Sequence, residues 1–445
     1  MREILGNSAI ASLLPSLAYE EGVRYHLSVF SLSHGVDGIV LVYNTLTSGL
    51  VALSQSEWDA IDFKLPRFFE DSELVRYLVG HHYLVSESVD EYSRYKELYN
   101  LSRVLCQNEG ITRYNILTTT GCNLRCYYCF EQGVSAFSMS RDIAESVVSY
   151  IVQSCSKKRP VHLRWFGGEP LVNAKVIDII CKGLSMNGKD FYSTMSSNGV
   201  LFTPDLVAKA VEWNLKLVRV SLDGFRKEHD IRKGFESNGS IFDSVIDNIS
   251  LLADHNINVS IRLTIDSDSL DGIEELVLWL IDKYRAYKNI SIYNRCVFEE
   301  FSSKSYQSNP DLVKRMFERI KQLDEILYNN GMYDMSRIAP IGFQNFYCAA
   351  SDPRAVVISP QGKLCSCESV NGDTQFWGNI LEGETDKGLH NSWLFCETRE
   401  KCKGCRFLPV CTSFSKCSID FFDCRLKMEY LHQWYMKNMF LSGQR

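Results

Sequence analysis

Three cysteines stand at a spacing that suits metal chemistry: Cys122, Cys126 and Cys129, in the pattern Cys-x3-Cys-x2-Cys. Thiolates are soft donors, and three on one short segment can hold three irons of a 4Fe–4S cluster, leaving the fourth iron without a protein ligand. An open metal position can take a substrate, as it does at a three-ligand zinc. A zinc knuckle would need a fourth ligand, and no further Cys or His stands nearby in the sequence. A second group lies towards the C-terminus: Cys348, Cys365, Cys367, Cys402, Cys405, Cys411, Cys417 and Cys424. For Cys402-x2-Cys405 taken alone, a zinc ribbon is the alternative. Cys106, Cys155, Cys181, Cys296 and Cys396 fit neither group and read as small buried hydrophobes.

The chain that must position these residues has 445 residues, 45% of them hydrophobic, enough for two to four cores. Its net charge of −6 and lack of a long basic run argue against a nucleic-acid partner held through phosphates. The N-terminal stretch MREILGNSAIASLLPSLAYEEG lacks the basic start and cleavage site of an export signal, and no apolar run is long enough to span a bilayer. The expectation is a cytoplasmic protein without a membrane partner, whose cysteines serve as ligands rather than disulfides.

Three regions follow from the pattern. Residues 1–110 predict a small winged-helix-like α+β unit. Its strands are HLSVFSL and GIVLVYNTL, joined through HGVDG; a helix is capped by Ser54 or Ser56, and another covers Asp71–Val79. A short strand near His82–Val85 and a linking helix over Asp90–Leu105 complete it. Residues 111–330 alternate strand and helix six times, with strands at Arg113–Thr118, Val161–Phe166, Phe191–Met195, Leu215–Leu222, Asn258–Ile265 and Ile290–Arg295. Thr203 before Pro204 is a helix start. This is an α/β pattern, and six units predict a partial, open (β/α)6 barrel. Residues 331–445 hold a short strand at Ala355–Ser359, a turn at Pro360–Gly362, most of the cysteines and a helix over Leu426–Phe440. With little apolar periodicity, metal would supply much of this region's stability.

Cys122–Cys129, with Tyr128 before the last cysteine, resembles the signature of the radical S-adenosylmethionine superfamily. The turns after later strands carry the resemblance further. Gly167-Gly168-Glu169-Pro170 is similar to the family's methionine-binding GGE motif, its glycines allowing close backbone approach. Ser196-Ser197-Asn198-Gly199 follows the third strand. Ser221-Leu222-Asp223-Gly224, with His229 and Asp230, resembles a stretch whose serine and a later basic residue contact the cofactor. That basic position is open between Arg232 and Lys233. Leu263 matches a backbone contact to adenine. Active sites of parallel β/α folds sit at this rim.

The C-terminal cysteines resemble a SPASM domain, which implies two auxiliary 4Fe–4S clusters and three in all. By resemblance Cys348, Cys367 and Cys417 ligate the first, and Cys402, Cys405, Cys411 and Cys424 the second. Five residues separate Cys411 from Cys417, where the family has three, and Cys365 is a candidate fourth ligand of the first cluster. The resemblance implies reductive cleavage of S-adenosylmethionine to a 5′-deoxyadenosyl radical, with flavodoxin or ferredoxin as electron donor. It also implies a ribosomally made precursor peptide whose leader adds a strand to the N-terminal unit, and a carbon–carbon or thioether crosslink as product. An anaerobic sulfatase-maturating enzyme is the alternative, with Glu368 in the place of that class's catalytic aspartate. A non-catalytic iron–sulfur electron carrier is the more distant one.

Overall fold

The apolar runs near the N-terminus form two small sheets in the computed structural model, which describes residues 1–62, 65–107, 109–235, 240–297, 309–334, 343, 349–368, 375–410 and 433–441. Strands β1 (Arg2–Leu5), β2 (Tyr25–Leu27), β3 (Ser31–Val36), β4 (Ile39–Asn44) and β5 (Leu50–Ser54) come first. Helices α1 (Gln55–Asp59) and α2 (Glu73–Gly80), strand β6 (Leu84–Ser86) and helix α3 (Glu91–Gln107) follow. An antiparallel sheet runs in the order β1-β5-β4-β3, while β2 pairs with β6. The single strand expected over HLSVFSL is therefore two. The chain breaks at Ser28, whose hydroxyl accepts from the Phe30 N–H at 3.2 Å and donates to Glu91, and whose carbonyl accepts from the Ser31 N–H at 2.9 Å.

The turn between β3 and β4 is Asp37-Gly38 alone, with φ of 48° and 82°, the left-handed pair that matches strand twist in a two-residue hairpin. Ile39–Tyr43 is unbroken in its apolarity because both faces of this sheet are covered. Leu41 and Tyr43 lie in the main core, and Val40 and Val42 pack with Trp58, Val75 and Leu78. Ser54 is the cap of α1: its hydroxyl accepts from the Glu57 N–H while the Glu57 carboxylate accepts from the Ser54 N–H, a reciprocal capping box.

The central sheet is built from β7 (Arg113–Thr119), β8 (Val161–Gly167), β9 (Phe191–Ser197), β10 (Leu215–Leu222), β11 (Asn258–Ile265) and β12 (Ile290–Cys296). Helices α4 (Arg141–Ser154), α5 (Ala174–Met186), α6 (Pro204–Glu212), α7 (Arg226–Arg232), α8 (Ile241–Asp254), α9 (Ile273–Tyr284) and α10 (Pro310–Asn329) alternate with the strands. All but α7 are the helices the sequence pattern predicts. Neighbouring strands are parallel in sequence order from β7 to β12. Thr203 caps α6 by accepting from the Leu206 N–H, with Pro204 in the first turn. Alternate strand residues, such as Ile116, Leu163, Met195, Val220, Ile261 and Ile292, meet the helices in one core.

The sheet continues past β7 into the C-terminal region. Strand β13 (Ala355–Ile358) pairs parallel to β7, and β14 (Lys363–Cys365), β15 (Gly378–Asn379) and β16 (Gly383–Glu384) extend it antiparallel. Helix α11 (Lys387–Leu394) and α12 (residues 433–441) complete the described chain. No described helix is long and apolar enough to cross a membrane.

Candidate functional site

The cysteine loop leaves the end of β7 and is locked in place by glycines from β8. Gly167 has φ of 121°, and a Cβ there would lie 2.1 Å from the Thr119 carbonyl oxygen. A Cβ on Gly168 would lie 2.3 Å from the Gly121 carbonyl oxygen. The N–H groups of Gly168 and Glu169 donate to those same two carbonyls, both at 3.0 Å. The register between β7 and β8 also shifts here, between Leu117 and Thr119, as at bulges that re-aim a strand end beside a site. In the structure these glycines allow the close approach of the Thr119 and Gly121 carbonyls.

Glu169 is fully buried and accepts from the Asn198 N–H at 2.8 Å, the Ser197 hydroxyl at 2.9 Å and the Leu171 N–H at 3.2 Å. It thereby fastens the turn after β9 to the turn after β8. Burial pushes its carboxyl up to about 7, against these hydrogen bonds. Asn198 in turn reaches the cysteine loop: its Nδ2 donates to Asn123 Oδ1 at 2.8 Å and lies 3.9 Å from Cys122 Sγ. Ser196 sits half-buried near the end of β9, and Leu263 is buried on β11 in register with Leu222 and Asn294.

Both candidate basic residues are engaged, each with its own aspartate and its own tyrosine of the cysteine loop. Lys233 Nζ lies 3.1 Å from Asp223 Oδ2, donates to Tyr128 Oη at 2.9 Å and to Ser221 Oγ at 2.8 Å, and the Tyr128 hydroxyl donates to Asp223. Arg232 Nη1 donates to Asp266 Oδ2 at 2.8 Å, and the Tyr127 hydroxyl donates to that same oxygen. Asp223 and Lys233 are almost wholly inaccessible, and Arg232 and Asp266 are buried. Burial alone would raise the Asp223 carboxyl; Lys233, His229 and the Tyr128 hydroxyl instead hold it down at about 2. Asp266 is held below its ordinary range against burial by Tyr127 and Arg232. Two parallel clamps therefore bind the loop to α7 and to the ends of β10 and β11. Tyr127 and Asp266 escaped the sequence reading, although Asp266 follows a strand end as the other rim turns do.

Cys122, Cys126 and Cys129 are half-buried on this one loop, and burial pushes the Cys122 and Cys129 thiols up. Among the described residues no three His, Cys, Asp or Glu side chains already form a metal cage. Cys365 is buried on β14 in an apolar cluster with Leu117 and Val357, and its thiol is 3.5 Å from the Cys367 carbonyl. Cys402 and Cys405 lie together, the Cys405 N–H donating to the Cys402 carbonyl at 3.1 Å. Cys348, Cys411, Cys417 and Cys424 lie outside the described residues. Glu368 is not a free loop residue: its Oε1 accepts from Arg164 Nη1 at 2.6 Å, across to β8.

Residues 116–280, the span from β7 into α9, match the Radical SAM superfamily. The chain carries a radical SAM domain. Its relatives include the mycofactocin maturase MftC of Mycolicibacterium smegmatis, 22% identical over 66% of this chain and 75% of that protein. A cysteine-type anaerobic sulfatase-maturating enzyme of Clostridium perfringens is 22% identical over 71% of this chain and 92% of its own. The chain spans 59% of an uncharacterized Methanocaldococcus jannaschii relative, so coverage of the curated relatives is uneven. Among solved structures, native anSMEcpe with bound AdoMet and Cp18Cys peptide superposes with TM-score 0.59 at 16% identity, over 75% of this chain and 99% of that one. That likeness establishes the shared α/β fold. A radical SAM domain implies a 4Fe–4S cluster and S-adenosylmethionine, and the donor set fits: three soft thiols on one short loop.

Proposed function

We propose that this chain is a radical SAM maturase acting on a ribosomally made peptide. The observation that carries the reading is the seating of the cysteine loop at the C-terminal edge of the parallel sheet, tied to the turns after β8, β9, β10 and β11. Cys122, Cys126 and Cys129 would hold the cluster. When bound, cluster and S-adenosylmethionine together supply a 5′-deoxyadenosyl radical able to take a hydrogen atom from an unactivated carbon. The chain's own task is positional. The clamps fix the loop, Glu169 aligns the turns after β8 and β9, and the six-stranded partial barrel presents a peptide carbon to that edge.

The remaining regions fit a peptide substrate. The N-terminal unit, read as winged-helix-like, has β1 and β3 as outer strands of its sheet among the described residues. A leader segment would add there through main-chain hydrogen bonds. The C-terminal cysteines would ligate two auxiliary clusters, able to accept the electron that a crosslinking oxidation releases. A carbon–carbon or thioether crosslink is the product we favour. Formylglycine formation is the second reading, favoured by one observation: Glu368 reaches the central sheet through Arg164.

The test is anaerobic reconstitution, reduction, and mass spectrometry with S-adenosylmethionine and the short peptides encoded beside the gene. Deoxyadenosine with a peptide lighter by two hydrogens supports the crosslinking maturase. Conversion of a Cys or Ser side chain to an aldehyde in a sulfatase peptide supports the second reading. Absence of deoxyadenosine from a fully clustered enzyme, or its persistence after replacing Cys122, Cys126 and Cys129 by Ala, overturns both.

A further inference from the structure

The face of the central sheet opposite the helices is unusual for a parallel sheet, whose two faces are ordinarily apolar. It carries Arg164 on β8, Arg219 on β10, Arg262 on β11 and Arg295 on β12. The register places them on a diagonal. Arg164 is level with Thr194, and Arg219 with Ser196, two residues further along β9. Arg219 is level with Ser260, and Arg262 with Tyr293; each next arginine stands two residues beyond. The row thus climbs towards the edge that bears the cysteine loop. All four are half-buried, and no residue of β8–β12 on this face is acidic, in a chain whose net charge is −6.

Two further observations indicate what this face binds. Several buried hydrogen-bonding atoms here have no partner among the described residues: both side-chain amide atoms of Asn115, the Thr264 hydroxyl, and Nε of Arg164 and Arg262. Asn115 and Thr264 are 0% and 3% exposed, on the strand beside Arg164 and on the strand of Arg262. Native proteins rarely leave such groups unpaired, so a ligand rich in acceptors is indicated. The face also already holds carboxylates: that of Glu368 on Arg164 at 2.6 Å, and that of Asp334, which accepts from the Ser260 hydroxyl at 2.6 Å. Guanidinium forks match carboxylates in geometry as well as charge.

We propose that this arginine row binds acidic side chains of the peptide substrate, drawing a Glu- or Asp-bearing segment across the sheet towards the cysteine edge. The proposal rests on the peptide-maturase reading and specifies the substrate's chemistry. S-Adenosylmethionine also carries a carboxylate, so the test must separate the two sources. The full-length reconstituted enzyme is titrated with two rhodamine-labelled, end-blocked peptides, one alternating Glu with Gly and the other Gln with Gly, and anisotropy is read. The Glu peptide should bind at least about tenfold more tightly, with an advantage that shrinks as salt rises. R262Q and, at the sheet's edge, R295Q should each remove most of that advantage while retaining a cooperative melt. Equal affinity for the two peptides, including none for either, overturns the proposal, as does an advantage that both variants keep. Equilibrium dialysis with labelled S-adenosylmethionine supplies the other arm. If the variants lose the cofactor but keep the Glu preference, the arginines serve the cofactor and the proposal falls. Deoxyadenosine formation by the wild-type enzyme reports on the radical reading separately: its presence with equal peptide affinities rejects only the arginine proposal.

Discussion

Gly167 and Gly168 show how a motif can be legible while its local work is not. The sequence marks two glycines after a strand, but only the structure shows that a Cβ at either would meet the carbonyl of Thr119 or Gly121 within 2.1–2.3 Å. Both obstacles are backbone, so neither can swing aside. Gly168→Ala is therefore expected to cost ~3 kcal/mol or more in urea unfolding and to lower iron uptake on reconstitution, because the cysteine loop must shift. Gly133→Ala, where φ is 79° and nothing lies within 4 Å, should cost only ~1 kcal/mol. His162 offers a second test. Burial first, then Arg113, Arg164 and Arg219, hold its imidazole down at about 4. The unfolded chain protonates this residue near pH 6.5 and the folded chain does not, so stability is intact above that pH and is lost as pH falls towards 4. Urea unfolding of wild type at pH 5 should therefore show a deficit to which His162 contributes ~2 kcal/mol. His162→Gln should remove that part of the pH dependence, leaving the share of His82 and His229, which burial also keeps neutral.

At the level of elements, the strands and all but one of the helices of the central sheet were readable because their cues are local. Apolar alternation, Thr203-Pro204 and the strand-ending turns each act within a few residues. The capping box of Ser54 and Glu57 and the Asp37-Gly38 turn are of the same kind. What escaped depends on residues far apart in the chain. Tyr127 meets Asp266 across 139 positions, and β13 joins β7 from a region that the pattern assigns elsewhere. No local propensity encodes either pairing. Helix α7 was missed because it is a single charged stretch, Arg226–Arg232, whose burial comes from the clamps rather than from an apolar face. The clamps predict a measurable coupling. Asp266→Asn leaves Arg232 buried without its counter-charge and should cost ~3–5 kcal/mol. Combining it with Arg232→Met should cost clearly less than the sum of the two single changes. Additive losses in urea unfolding would show that the pair does not act as a unit.

For the whole molecule, the sequence suggests three regions in series, but contacts tie the first to the last. One face of the N-terminal sheet, with Leu32, Leu41, Tyr43 and Leu50, belongs to the same core as the central sheet. Tyr43 meets Tyr435 of α12 edge-on at 6.2 Å. The Thr45 hydroxyl donates to the Arg406 carbonyl, and Arg103 Nε to the Leu394 carbonyl, both at 2.7 Å. Tyr95, Phe343, Cys396 and Leu408 share a further cluster, against which Cys402 and Cys405 pack. Arg103 makes the point most sharply: it is wholly buried, so losing its partners leaves a stranded cation in place of a surface side chain. A chain beginning at Ile111 would expose that apolar sheet contact and remove several supports of the C-terminal cysteines. We expect it to bind the dye ANS, to melt without a sharp transition, and to take up less iron than the full chain even at Cys402 and Cys405. A truncated chain with a sharp melt and full iron content would instead establish the N-terminal region as an independent module. Its buried contacts would then be a docking surface rather than part of one core.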